Sequence, residues 1–84
     1  MDLRATLEDI DSRDDLVLLI DQLRWDLESN REAWENVDLS SFLESMSAWL
    51  RDMDGYYQNI GEPVPASPTW KTIGEILLAS RVYE

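Results

Sequence analysis

The residues best equipped for chemistry lie together in "DMDGYY", Asp52 to Tyr57. Two carboxylates and two phenols in so short a stretch suggest a metal loop, an acid–base pair, or a face for another macromolecule. Spacing decides the first. A calcium EF-hand loop needs oxygen ligands at positions 1, 3 and 5, glycine at 6 and glutamate at 12. Counting from Asp52 puts Asp54 at 3, but Tyr56 at 5, Tyr57 at 6 and Pro63 at 12. On a helix, Asp52 and Asp54 also point about 200° apart. No metal site is expected here.

Acid–base catalysis needs carboxyls of opposed environments facing one cleft. The chain offers 18 Asp and Glu and no means of singling out two. It has no His and no Cys. That removes imidazole and thiolate metal ligands, Cys–His and Ser–His–Asp catalysis, and disulfide staples. No glycine-rich phosphate loop is present. The reading is therefore non-enzymatic, with no catalytic, cofactor or metal residues.

The macromolecular face remains. Tyrosine joins a large apolar body to a polar tip and is enriched at interaction hot spots. Flanking acids steer a basic partner. Asp52, Asp54 and Tyr57 suit that role. Tyr56 lies on an apolar stripe and is assigned to the core, whereas Tyr57 sits at the stripe's edge. The overall charge points the same way: 18 acids against 7 Lys and Arg give −11. This argues against nucleic acid or an anionic membrane, and it suits a basic protein partner or simple solubility. No apolar run approaches the ~18 residues of a membrane span. The start, "MDLRATLEDI", has neither the basic nor the apolar region of a secretory signal. A soluble, cytoplasmic protein is expected.

Helices must position these residues. At 84 residues the chain, 1–84, is one domain. Four Trp, three Tyr and one Phe supply much of a small core. Leu3, Leu7 and Ile10 suggest a short N-terminal helix. Ser12, with Asp15 three residues on, reads as a capping box opening a helix over 13–28. Leu16, Leu19, Ile20, Leu23 and Leu27 form its stripe. Leu18 and Trp25 fall on the opposite side, so either the fold covers both faces or Trp25 marks an exposed patch. A helical turn capped by Asn30 follows, with Trp34 plugging the end of the bundle.

Asp38, with Ser40 as the alternative, caps a second long helix over 39–59. Its stripe runs through Phe42, Met46, Trp49, Met53, Tyr56 and Ile60, and Leu39, Leu43, Leu50 and Tyr57 widen it. Gly55 costs about 1 kcal/mol inside this helix, and Gly61 fits the left-handed residue that ends it. "GEPVPASP" is a stiff crossing loop holding all three prolines. Ser67 with Pro68 then opens a last helix over 68–82. Trp70, Ile73, Ile76, Leu77 and Tyr83 form its main stripe, and Leu78 and Val82 lie on another side. Such a helix is either buried or held against another chain. Gly74 suits a close helix approach. Nothing alternates with period two, so the fold class is all-α: three main helices, the short N-terminal helix and the turn near Trp34.

"EAWEN", "FLESMSAWLRDMDGYYQN", "GEPVPASPTW" and "ILLASRVYE" together resemble a family of small acidic bacterial proteins known only as a domain of unknown function. The likeness runs from about residue 12 to the end. It implies a compact helical domain and no assigned activity. Its motifs fall on Trp34, Glu35, Asn36, Trp49, Asp52, Asp54, Gly55, Tyr56, Tyr57, Asn59, Pro63 and Trp70. These are residues of structure or interface; Trp34, Trp49, Tyr56 and Trp70 are the expected structural anchors. A weaker likeness is to colicin-type immunity proteins, which are acidic and helical and present acids beside a tyrosine pair to a basic nuclease. The functional expectation is an interaction module that binds a protein partner or self-associates as a homo-oligomer. The alternative is an immunity-like or nucleic-acid-mimicking inhibitor of a basic protein.

Overall fold

A computed structural model describes residues 2–83. It contains α1 (Leu3–Glu8), α2 (Arg13–Ser29), a 3-10 turn (Arg31–Ala33), α3 (Leu39–Asn59) and α4 (Trp70–Ser80). No strand occurs among the described residues, and no helix there is long and apolar enough to cross a membrane. The fold is a small all-α bundle.

Local chemistry sets the helix ends. Ser12 accepts from the Asp15 amide at 3.2 Å. Asp15 reaches back past Ser12, to the Asp11 amide at 2.9 Å, so the capping box is one residue wider than expected. Asp38 accepts from both the amide and the hydroxyl of Ser41, at 2.8 and 3.0 Å. At the far end of α3, Gly61 takes φ +73°. Its amide bonds Gln58 O, and the Glu62 amide bonds Tyr57 O. This pairing satisfies carbonyls that the helix leaves free, and only glycine enters that conformation readily.

Two boundaries differ from the sequence reading. Asn30 makes no side-chain capping bond. The last helix is shorter than 68–82 because Thr69, not Ser67, caps it: Thr69 Oγ1 accepts from the Thr72 amide at 3.1 Å.

α4 lies at the centre, packed by α3 on one side and by α2 and α1 on another, while α2 and α3 make no direct helix–helix contact. A buried centre explains why α4 is apolar on most sides. Gly74 makes the approach possible. A Cβ there would come within 2.9 Å of Ile10 Cδ1, 3.0 Å of Leu19 Cδ2 and 3.1 Å of Leu7 Cδ1. The core gathers Leu3, Leu7, Ile10, Leu16, Leu19, Leu23, Trp34 and Leu78. α1 is too short to persist alone, and these contacts hold it.

The molecule spans 34 × 27 × 18 Å. Its short axis accommodates only about two helix diameters of ~10 Å, so each outer helix covers one face and presents the other. Ile20, expected in the α2 stripe, is exposed, as is Ile60 of the α3 stripe. The buried face of α3 is turned instead toward Ser45, Trp49 and Tyr57.

Candidate functional site

The helices bring the chemically equipped residues to two kinds of place: a closed polar–aromatic cluster along α4, and open apolar faces outside it. The cluster begins with Glu75, 7% exposed on α4. One terminal nitrogen of Arg4 donates to both Glu75 oxygens at 3.1 Å. Burial disfavours the Arg4 charge, but the hydrogen bond and attraction of Glu75 outweigh it and raise its pKa. Tyr56 lies beside this pair. Burial first, then Glu75, lift its pKa above the ordinary 10.0. Burial, followed by the charges of Glu75 and Glu62, does the same for Tyr57. Both phenols therefore stay neutral at physiological pH, as hydrogen-bonding groups rather than nucleophiles.

Aromatic contacts extend the cluster. Trp49 meets Tyr56 at 5.0 Å and Tyr83 edge-on at 5.2 Å; Tyr56 meets Tyr57 edge-on at 5.1 Å. The Tyr83 hydroxyl donates to Asp52, and this bond raises the Tyr83 pKa. Trp49 Nε1 is buried without a hydrogen-bond partner among the described residues, and ring packing against Tyr56 and Tyr83 holds it. A cavity of about 240 Å³ lies between Tyr56, Tyr57, Pro63, Pro65 and Glu75. A shallower groove of about 440 Å³ runs past Arg4, Trp49, Tyr56, Glu75 and Tyr83. Among the described residues, no group of three or more acids is placed to hold a metal ion.

Three expectations are corrected here. Tyr57 is 8% exposed, not a surface residue, because α4 and the proline loop cover it; Tyr56, assigned to the core, is only half-buried. Trp70, expected as an anchor, is 44% exposed at the start of α4. Trp34 and Trp49 are buried, Asp52 and Asp54 are exposed, and Trp25 is 48% exposed. Tyr57 and Trp25 thus do not share one face.

The sequence reading also missed how the end of α4 is closed. Arg81 O accepts from the Glu35 and Asn36 amides, both at 3.0 Å. Asn36 Nδ2 donates to Ser80 O and Tyr83 O at 3.0 Å, and Ser45 Oγ donates to Tyr83 O at 2.6 Å. Trp34 Nε1 donates to Asp26 at 2.8 Å, with Arg81 3.9 Å from the same oxygen. The W-E-N stretch is therefore a cap that satisfies the last carbonyls of α4. Glu75 was also missed; its signal was a lone acid in the middle of an apolar helix.

A model for a family of unknown function, DUF7660, matches residues 12–84. The chain belongs to that family. No curated protein matches it, and no solved structure does. The DUF7660 match covers α2, α3 and α4 with their cap and aromatic cluster, while α1, which brings Arg4 to Glu75, precedes it.

The open faces lie elsewhere. On α2, Val17, Leu18 and Trp25 stand outward with their apolar surface about half exposed. On α3, Leu39 is 72% exposed, and Leu43 and Leu50 about half.

Proposed function

We propose that this DUF7660 chain is a non-enzymatic interaction module that works through the outer faces of α2 and α3. The observation that carries the reading is the grouping of Leu18 and Trp25 on one helix face, each left 48% exposed by the described residues. Single exposed hydrophobics are ordinary, but a large aromatic beside aliphatic neighbours is the composition of an interface core. The polar–aromatic cluster is a weaker candidate for chemistry. Its carboxylate is already paired with Arg4, and its phenols are neutral. A soluble, cytoplasmic setting belongs to the same reading and is supported by the −11 charge, which disperses the chain.

The inhibitor reading draws on that charge and on outward Asp54. It is weakened by the burial of Tyr57 and by the bond that engages Asp52 with Tyr83. The test compares the chain with a Leu18→Ser/Trp25→Ser variant, both immobilised and both free in solution. Circular dichroism of each confirms the fold. The expected result is self-association or retention of a host protein by the natural sequence, reduced in the variant. Neither behaviour in the natural sequence would refute the module.

A further inference from the structure

The cavity beside the proline loop is built differently from the open helix faces. Three of its lining residues, Tyr57, Thr72 and Glu75, are only 8%, 6% and 7% exposed, so its floor is both polar and closed. Tyr56, Ile60 and the prolines wall it. Its volume is about 240 Å³, below the ~300–1,000 Å³ of sites for drug-sized ligands. It therefore admits a group of side-chain size.

The polar atoms of the floor can be accounted for one by one, and a hydroxyl is left over. The Thr72 hydroxyl lies 3.0 Å from that of Thr69. Glu75 receives Arg4 Nη1 on both oxygens, but a carboxylate offers about four lone-pair sites, so acceptor capacity remains. The Tyr57 hydroxyl makes no hydrogen bond among the described residues, although it feels the charges of Glu75 and Glu62. A buried phenol ordinarily finds a partner. The turn at Gly61 brings Glu62 to the same place, since its amide bonds Tyr57 O at 3.0 Å, and Glu62 lines the cavity.

We propose that this cavity binds a primary ammonium group carried on a short aliphatic stem. Charge sets the sign of the ligand. Glu8, Glu62 and Glu75 line the site against one cation, Lys71. Lys71 is bonded to Glu8 at 3.1 Å and Glu75 is paired with Arg4, which leaves Glu62 without an ion pair among the described residues. The ammonium donates to the Tyr57 hydroxyl oxygen, to Glu75 and to Glu62, while Ile60 and the prolines cover the stem. These acceptors stand on three separate side chains. That suits the three tetrahedral donors of an ammonium, whereas the flat fork of a guanidinium seeks two oxygens of one carboxylate. Two sources carry this chemistry: a free alkylamine, and the end of a lysine side chain on a basic polypeptide. The site is separate from the outer faces of α2 and α3 and does not depend on them.

Two-dimensional amide NMR of the full chain, titrated with 1-pentylamine, tests this. The expected result is a set of saturable shifts centred on Tyr57, Glu62 and Thr72, absent with 1-pentanol, the neutral molecule of the same length. Tyr57→Phe removes one acceptor and should weaken binding by about tenfold or more, with circular dichroism confirming the fold. Glu62→Gln, at an exposed position that the fold does not need, should weaken it by about two- to fivefold. An end-blocked glycine–lysine–glycine peptide separates the sources. Shifts like those of pentylamine assign the site to a lysine of a polypeptide, and binding of pentylamine alone assigns it to a free amine. Leu18→Ser/Trp25→Ser should leave the pentylamine shifts unchanged, so loss of the α2 face and loss of this site are told apart. The absence of saturable shifts with pentylamine overturns the inference. So do equal shifts with pentanol, and so does pentylamine binding that Tyr57→Phe and Glu62→Gln both leave unaltered.

Discussion

Gly74 and Gly55 each interrupt a helix, and their surroundings are opposite. A Cβ on Gly74 would press on three buried side chains. A Cβ on Gly55 would meet nothing within 4 Å. The first belongs to the region around α4, where apolar contacts are full and almost every helix-end carbonyl is answered. The second belongs to the polar outer side of α3, which it shares with the exposed Glu44, Arg51, Asp52 and Asn59, and there glycine is not required by packing. The difference teaches that close packing accounts for the inner glycine and not for the outer one.

Substitutions should separate these regions by the size and sign of their effects. The largest loss is expected for Leu19→Ala, a side chain with no exposed surface. Deleting such a group costs about 2–5 kcal/mol, a large share of a small domain's stability, and urea unfolding would read it. Asn36→Ala comes next. It strands the Ser80 carbonyl and leaves Tyr83 O to Ser45 alone, and should cost about 1–3 kcal/mol; a neutral result would mean the W-E-N cap is not structural. Gly74→Ala follows. Overpacking of about 1–3 kcal/mol is set against about 1 kcal/mol of helix propensity, so a net loss of up to about 2 kcal/mol is expected. Gly55→Ala should have the opposite sign, a gain of up to about 1 kcal/mol, seen as a higher Tm. The smallest effect belongs to Leu43→Ser, within about 0.5 kcal/mol of the natural chain. A large loss there would show that the outer face is part of the core.

Alkaline pH probes the cluster between the two regions. Tyr56 and Tyr57 have pKa values raised above 10.0 by burial and by Glu75. The unfolded chain therefore gives up these protons first. Their contribution is complete below about pH 10 and is lost as pH rises through the folded-state values. Unfolding followed from pH 8 to 11 should show stability falling only at the upper end, with the fall reduced in Tyr56→Phe.

Much of the fold was legible because helix ends carry local chemistry. Ser12, Asp38 and Gly61 marked the ends of α2 and α3 correctly, since a cap is written within a few residues. The start of α4 was misread because Ser67–Pro68 and Thr69 offer competing caps, and only the tertiary position of Thr72 selects the second. Periodicity placed Tyr57 and Trp70 at an angle on their helices but could not say what arrives to cover that angle. Tyr57 ends up buried, and Trp70 stays 44% exposed. The Arg4–Glu75 pair was invisible because its members lie at opposite ends of the chain, and α1 is too short to announce its partner. Trp25 contradicts its own helix's stripe, which left open a covered second face or an exposed patch, and it stays 48% exposed.

Salt separates association through an apolar face from attraction to an opposite charge. Two copies at −11 each repel, and salt screens that repulsion. Sedimentation of the full chain at low and high ionic strength should therefore show self-association strengthening as salt is added. Self-association that weakens with salt, or a chain that neither self-associates nor retains a host protein at either ionic strength, would contradict the account.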